Sequence, residues 1–106
     1  MSDPFCVITT TTASWEEADR LAELLVSGRL AACVQILSIA STYMWKGKLT
    51  SEPEHLLLIK TAAHLYPEVE KIIVANHSYE IPEIVQLPIT QGLDRYLSWI
   101  GENTKQ

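Results

Sequence analysis

A chain of 106 residues has room for one modest hydrophobic core, so residues 1–106 are read as a single domain. Its 47% hydrophobic and 20% charged residues, without any low-complexity run, exclude a disordered chain. Thirteen Asp and Glu against eight Lys and Arg leave a net charge of −5, which argues against nucleic acid as a partner, and no apolar run approaches the length of a membrane span.

The start, Met1-Ser2-Asp3-Pro4, has neither the basic residues nor the apolar stretch of a signal peptide, and a cytoplasmic location is expected. Phe5-Cys6-Val7-Ile8 and the threonines after them are apolar and β-branched, and predict a central first strand ending near Thr10. Ser14, with Glu17 three residues on, has the form of a capping box. Ala18, Leu21, Ala22 and Leu25 recur at helical spacing and Ser27-Gly28 supplies a stop, so a helix lies between them. With only Arg29 and Leu30 to follow, that helix must fold straight back as a right-handed β-α-β crossover. Cys6 and Cys33 lie in apolar, strand-like surroundings and are expected to be free thiols.

Residues 30–61 form the stretch on which the rest depends. They read as one long hairpin turning at Lys46-Gly47-Lys48, with Gly47 supplying the positive φ that tight turns demand. Alternation puts Val34 and Ile36 on one face and Leu37, Ile39, Tyr43 and Trp45 on the other. A lone ribbon cannot bury two apolar faces, and this makes Tyr43 and Trp45 candidate contacts with another copy of the chain. Ser38, Ala40, Ser41 and Thr42 interrupt the apolar pattern and predict a bulge or bend, and Pro53 removes a ladder donor from the return arm. Beyond the hairpin, Pro67 opens a second helix with Val69, Ile72 and Ile73 on one stripe. Ile84-Val85-Gln86-Leu87 forms a short fourth strand between Pro82 and Pro88, and Leu93, Tyr96, Leu97 and Ile100 mark a terminal helix ending at Gly101. The order predicts an α+β, ferredoxin-like βαββαβ fold with an extra C-terminal helix, two helices on one sheet face and the other face bare.

Chemistry is sparse. No nucleophile elbow, phosphate loop, CxxC pair or HExxH helix occurs, and an enzyme is not expected. His55 and His64 read as structural or surface residues, and Glu16, Glu17, Glu52 and Glu54 as surface charge. The densest group of functional side chains is H-S-Y-E-I-P-E at residues 77–83, where His77, Tyr79 and Glu83 are candidates for an ion or small-ligand site.

The runs L-A-A-C-V at 30–34, Y-M-W-K-G-K at 43–48, L-L-L-I-K-T at 56–61, H-S-Y-E-I-P-E at 77–83 and Y-L-S-W-I at 96–100 together resemble the CutA divalent-cation tolerance proteins across nearly the whole chain. The resemblance implies a homotrimer related in architecture to the PII signalling proteins, its sheets covered through the long hairpins. It also implies a role in the response to metal ions, with copper or another divalent cation as cofactor and no organic one. His77 and Cys33 match the family's histidine and its A-A-C cysteine, and are the metal-ligand candidates the resemblance supplies. Thr10 stands where some members carry a cysteine, and Ser78 where proline is common; a missing soft thiolate disfavours Cu(I). A trimeric scaffold, or a PII-like small-ligand module with incidental metal binding, is the alternative.

Overall fold

The computed structural model describes residues 3–106; Met1 and Ser2, part of the stretch read for a signal peptide, lie outside the described residues. Its elements are β1 Phe5–Thr12, α1 Trp15–Ser27, β2 Cys33–Trp45, β3 Lys48–Ala62, a 3-10 turn Ala63–Leu65, α2 Tyr66–Asn76, β4 Val85–Pro88 and α3 Asp94–Glu102. The strands make one sheet in the order β2-β3-β1-β4, every neighbouring pair antiparallel. That order, with helices crossing between strands, is the ferredoxin-like arrangement, and β1 holds a central place as its threonine-rich sequence requires.

Register decides which side chains become core. Ile59 lies opposite both Ile8 and Val34, and Leu57 opposite Thr10 and Ile36. These side chains share the face beneath the helices, where Leu21 and Leu25 of α1 and Val69 and Ile73 of α2 are fully buried with Ile8, Leu57 and Ile59. Each such burial stabilises the fold by about 1.5–3 kcal/mol.

The caps form with two changes of partner. Ser14 Oγ accepts the Glu17 N–H at 3.2 Å, as a capping serine should. The Glu17 carboxylate, however, does not close the box; it accepts the Ser78 N–H at 2.7 Å and the Ser78 hydroxyl at 3.0 Å. At the other end of α1, Gly28 keeps φ −82°, and Arg29 takes the left-handed position at φ 59°. The Arg29 guanidinium donates to the Glu102 carbonyl at 3.1 Å, tying the start of the hairpin to the end of α3.

The hairpin differs from its sequence reading in regularity. Pairing runs unbroken from Cys33 opposite Lys60 to Trp45 opposite Lys48, so no bulge interrupts residues 38–42. Small hydroxyl and methyl side chains are compatible with an even ladder; Thr42 and Ser51, directly opposite, hydrogen-bond through their hydroxyls at 3.3 Å. Pro53 falls beyond the last β1–β3 pair, Thr12 opposite His55, where β3 has a strand on one side only and proline is tolerated. The turn itself is two residues, Lys46 at φ 51° and Gly47 at φ 80°, with Lys48 already in β3; two successive positive φ values are the mark of a type I′ hairpin.

The second sheet face is not wholly bare. Lys60 alternates away from the buried Ile59 and Thr61, and its Nζ lies 5.5 Å from the Tyr96 ring centre. α3 therefore lies across one end of that face, with Ile100 fully buried. Further along, Leu37, Val85 and Leu87 remain exposed.

Candidate functional site

The second face carries a cleft of about 680 Å³ between the outer half of the hairpin and the loop that follows α2. Alternation in β2 and β3 directs Ser41, Tyr43, Trp45, Glu52 and Glu54 into it, because all lie on the face opposite Leu57 and Ile59. The loop supplies Tyr79, Glu80, Ile81 and Glu83 from the other side. Two hydrogen bonds fasten the loop to the sheet, one to β3 and one to β1. The Tyr79 phenol donates to Glu54 Oε2 at 2.7 Å, and the Thr9 hydroxyl donates to Glu83 Oε2 at 3.1 Å.

His77 is the hinge of this loop, and its bonding is fully committed. The Tyr79 backbone N–H can only donate, so Nδ1 of His77, 3.0 Å away, must accept; the proton then sits on Nε2, which donates to the Thr11 carbonyl at 2.7 Å. The ring is wholly buried, and Glu17 Oε2 lies 3.7 Å from Nδ1, too far for a hydrogen bond. His77 thus fastens the loop to β1 and sets the direction of Tyr79.

Electrostatics in the cleft are one-sided. Burial pushes the Tyr79 phenol well above its usual range, and the hydrogen bond to Glu54 adds to the effect, so it remains a donor at any working pH. The Tyr43 phenol is raised as well, by burial first and then by the charges of Glu52 and Glu54. Glu54 is only 6% exposed, which corrects the reading of this residue as surface charge. Its parity with Leu56 and Leu58 along β3 was the available signal; the covering phenol comes from 25 residues away and left none.

The structure gathers some of the sequence candidates and separates others. Tyr79, Glu83, Tyr43 and Trp45 line one cleft, although they were expected to divide between a ligand site and a subunit contact. Cys33 and His77 are not brought together. Cys33 pairs with Lys60, whereas the Thr11 that holds His77 pairs with Leu56, four residues along β3 or roughly 13 Å by strand rise. With the Nδ1 lone pair and the Nε2 proton both engaged, the pair does not fit a copper site within one subunit. Among the described residues no three His, Cys, Asp or Glu side chains are grouped as metal ligands. His64 bonds the Lys105 carbonyl at 3.1 Å and His55 packs edge-on against Trp15, both away from the cleft.

A ferredoxin-like sheet with a loop pinned over its second face and an acidic cleft beneath a long hairpin defines a class of small α+β domain. Comparison with known proteins fixes the family. Residues 6–103 match the model of the CutA1 divalent ion tolerance proteins, and the chain belongs to that family. It is 44% identical to the divalent-cation tolerance protein CutA of Thermus thermophilus, covering 92% of this chain and 96% of that one. It is 42% identical to the chloroplastic CutA of Arabidopsis thaliana over 96% of this chain but 57% of the longer plant protein. The crystal structure of CutA1 from Shewanella sp. SIB1 superposes over the full length of both chains with a TM-score of 0.95 at 34% identity.

Proposed function

We propose that this protein serves divalent-cation tolerance as a cytoplasmic homotrimer that binds its ligand in the cleft under the outer hairpin, and that it acts by binding rather than by catalysis. The observation that carries the reading is the cleft itself, whose tyrosine, tryptophan and carboxylate walls lie on a sheet face that also leaves Leu37, Val85 and Leu87 uncovered. An exposed apolar surface beside a polar cleft is the composition of a contact between copies with a site at its margin. The His77 imidazole beside the cleft loop spends both ring nitrogens on backbone groups, so it is not available as a general base. No helix among the described residues is long and apolar enough to cross a membrane, which accords with a location in the cytoplasm.

The donor set offered by the cleft is oxygen, suited to hard divalent cations more than to copper. Copper, if held, would need donors from more than one copy. Calorimetric titration of the assembled protein with Cu²⁺ and Mn²⁺ tests this. Glu54→Gln is expected to weaken metal binding while Cys33→Ser leaves it unchanged; the opposite pattern would contradict the cleft assignment.

A further inference from the structure

We propose that His77 is a pH-operated latch on the loop after α2: the neutral imidazole fastens the loop backbone at Tyr79 to β1, and protonation of the ring lets it go. The side chain is wholly buried, and in its neutral form both ring nitrogens are matched. Nε2–H donates to the Thr11 carbonyl at 2.7 Å, and Nδ1 accepts the Tyr79 N–H at 3.0 Å. Only the second bond depends on the charge of the ring. A proton taken from solvent onto Nδ1 turns that acceptor into a donor, so two N–H groups face each other across the same 3.0 Å. The Tyr79 amide is then left without a partner, a state that buried backbone groups avoid.

The charges around the ring give the new N–H somewhere to turn. From α1, Glu17 Oε2 lies 3.7 Å from Nδ1, and a small rotation brings an imidazolium to it as a charge-assisted donor. The same oxygen accepts the Ser78 N–H at 2.7 Å, so the rotation draws on the loop's neighbouring fastening as well. Arg20 of α1 is committed elsewhere, donating to the Asn76 carbonyl at 3.1 Å. His77 itself caps the carbonyl end of α2, which favours a positive ring. β1 presents the uncharged Thr11 carbonyl. From the loop, the Tyr79 ring centre stands 4.8 Å from that of the imidazole; its phenol is bonded to Glu54 of β3, is raised by burial, and stays neutral. Glu80 and Glu83 line the cleft on the far side of the loop. Solvent approaches from the helix side, where Ser14, Glu16, Arg20 and Asn76 border a groove with His77 and no described hairpin residue does. The latch is therefore independent of what covers the hairpin and of what the cleft binds.

The test is amide hydrogen exchange of the assembled protein, with each rate compared with its unstructured value at the same pH, between about pH 8 and about pH 5, the interval in which histidine changes charge. The Tyr79 amide should lose protection about tenfold on acidification while the amides of β1 and β3 keep theirs. His77→Asn supplies a side-chain oxygen that accepts from the backbone N–H two residues on and does not titrate, so its Tyr79 protection should be the same at both ends of the range. Glu17→Gln removes the charge that receives the imidazolium but keeps an oxygen for Ser78, and should move the midpoint of opening to lower pH; a purely structural bond between helix and loop would not move it. If His77→Asn does not fold, the Glu17→Gln profile decides alone, and an unmoved midpoint overturns the proposal. Tyr79 protection that stays constant across the range in the parent, or an acid loss that persists in His77→Asn, overturns it as well.

Discussion

The two halves of the long hairpin share one uninterrupted register and have opposite fates. In the inner half, residues 33–37 against 56–60, β3 is flanked by both β2 and β1, and Leu57 and Ile59 disappear beneath two helices. In the outer half, residues 39–45 against 48–54, no third strand arrives, and Met44 and Leu49 stand 63% and 77% exposed. Ladder geometry is the same in both, so the difference lies in what covers the ribbon. The inner half is fold; the outer half, with the loop after α2, is the proposed site and contact surface.

The largest expected effect is on the inner half. Ile59→Ala should lower unfolding stability by about 2–5 kcal/mol, because it opens a cavity between strand and helices that cannot collapse. Denaturant titration reads it, and a loss below 1 kcal/mol would erase the contrast between the halves.

Next comes the pH response of the same core. Burial pushes the Cys6 thiol from its ordinary 9.0 up to about 11. The folded state therefore keeps its proton where the unfolded chain would give it up. The contribution is complete below about pH 9 and is lost as pH rises toward 11, to a total of roughly 2–3 kcal/mol. Cys6→Ala should flatten the alkaline limb of the stability curve, measured by urea midpoints across that range, and an unchanged limb would refute it.

Substitutions in the outer half should behave differently. Trp45→Ala is expected to weaken assembly by about 2 kcal/mol per contact while sparing the secondary structure. A variant that assembled and melted like the parent would place Trp45 outside any contact. Smaller still, Tyr79→Phe removes one hydrogen bond to Glu54, about 1 kcal/mol, and should loosen residues 78–83 in hydrogen exchange without changing the exchange of β1 or β3.

Much of the fold was legible because local signals agreed. Ser14 caps α1, Pro67 lies in the first turn of α2, and Gly47 takes a left-handed turn position, each for a reason visible within a few residues. The misread details are those decided by distant partners. Ser38, Ala40, Ser41 and Thr42 lack strong apolar side chains, so the pattern alone gave no sign that pairing with residues 51–55 keeps this stretch straight. Glu17 completes a capping motif on paper, but Ser78 arrives from 61 residues away and claims its carboxylate. The site shows the same division. The 77–83 block was recognisable from its density of functional groups, whereas Glu54 acquires its role only when Tyr79 closes over it. His77 illustrates the limit best: an imidazole among carboxylates suggests a ligand until both nitrogens are seen bonded to backbone.

The central claim is that the outer half of the hairpin is covered by other copies of the chain. Light scattering of the parent protein at micromolar concentration measures this directly. The account predicts a monodisperse particle of three chains, each of 11.9 kDa, that shifts toward smaller species in Trp45→Ala. A monodisperse particle of a single chain would contradict it.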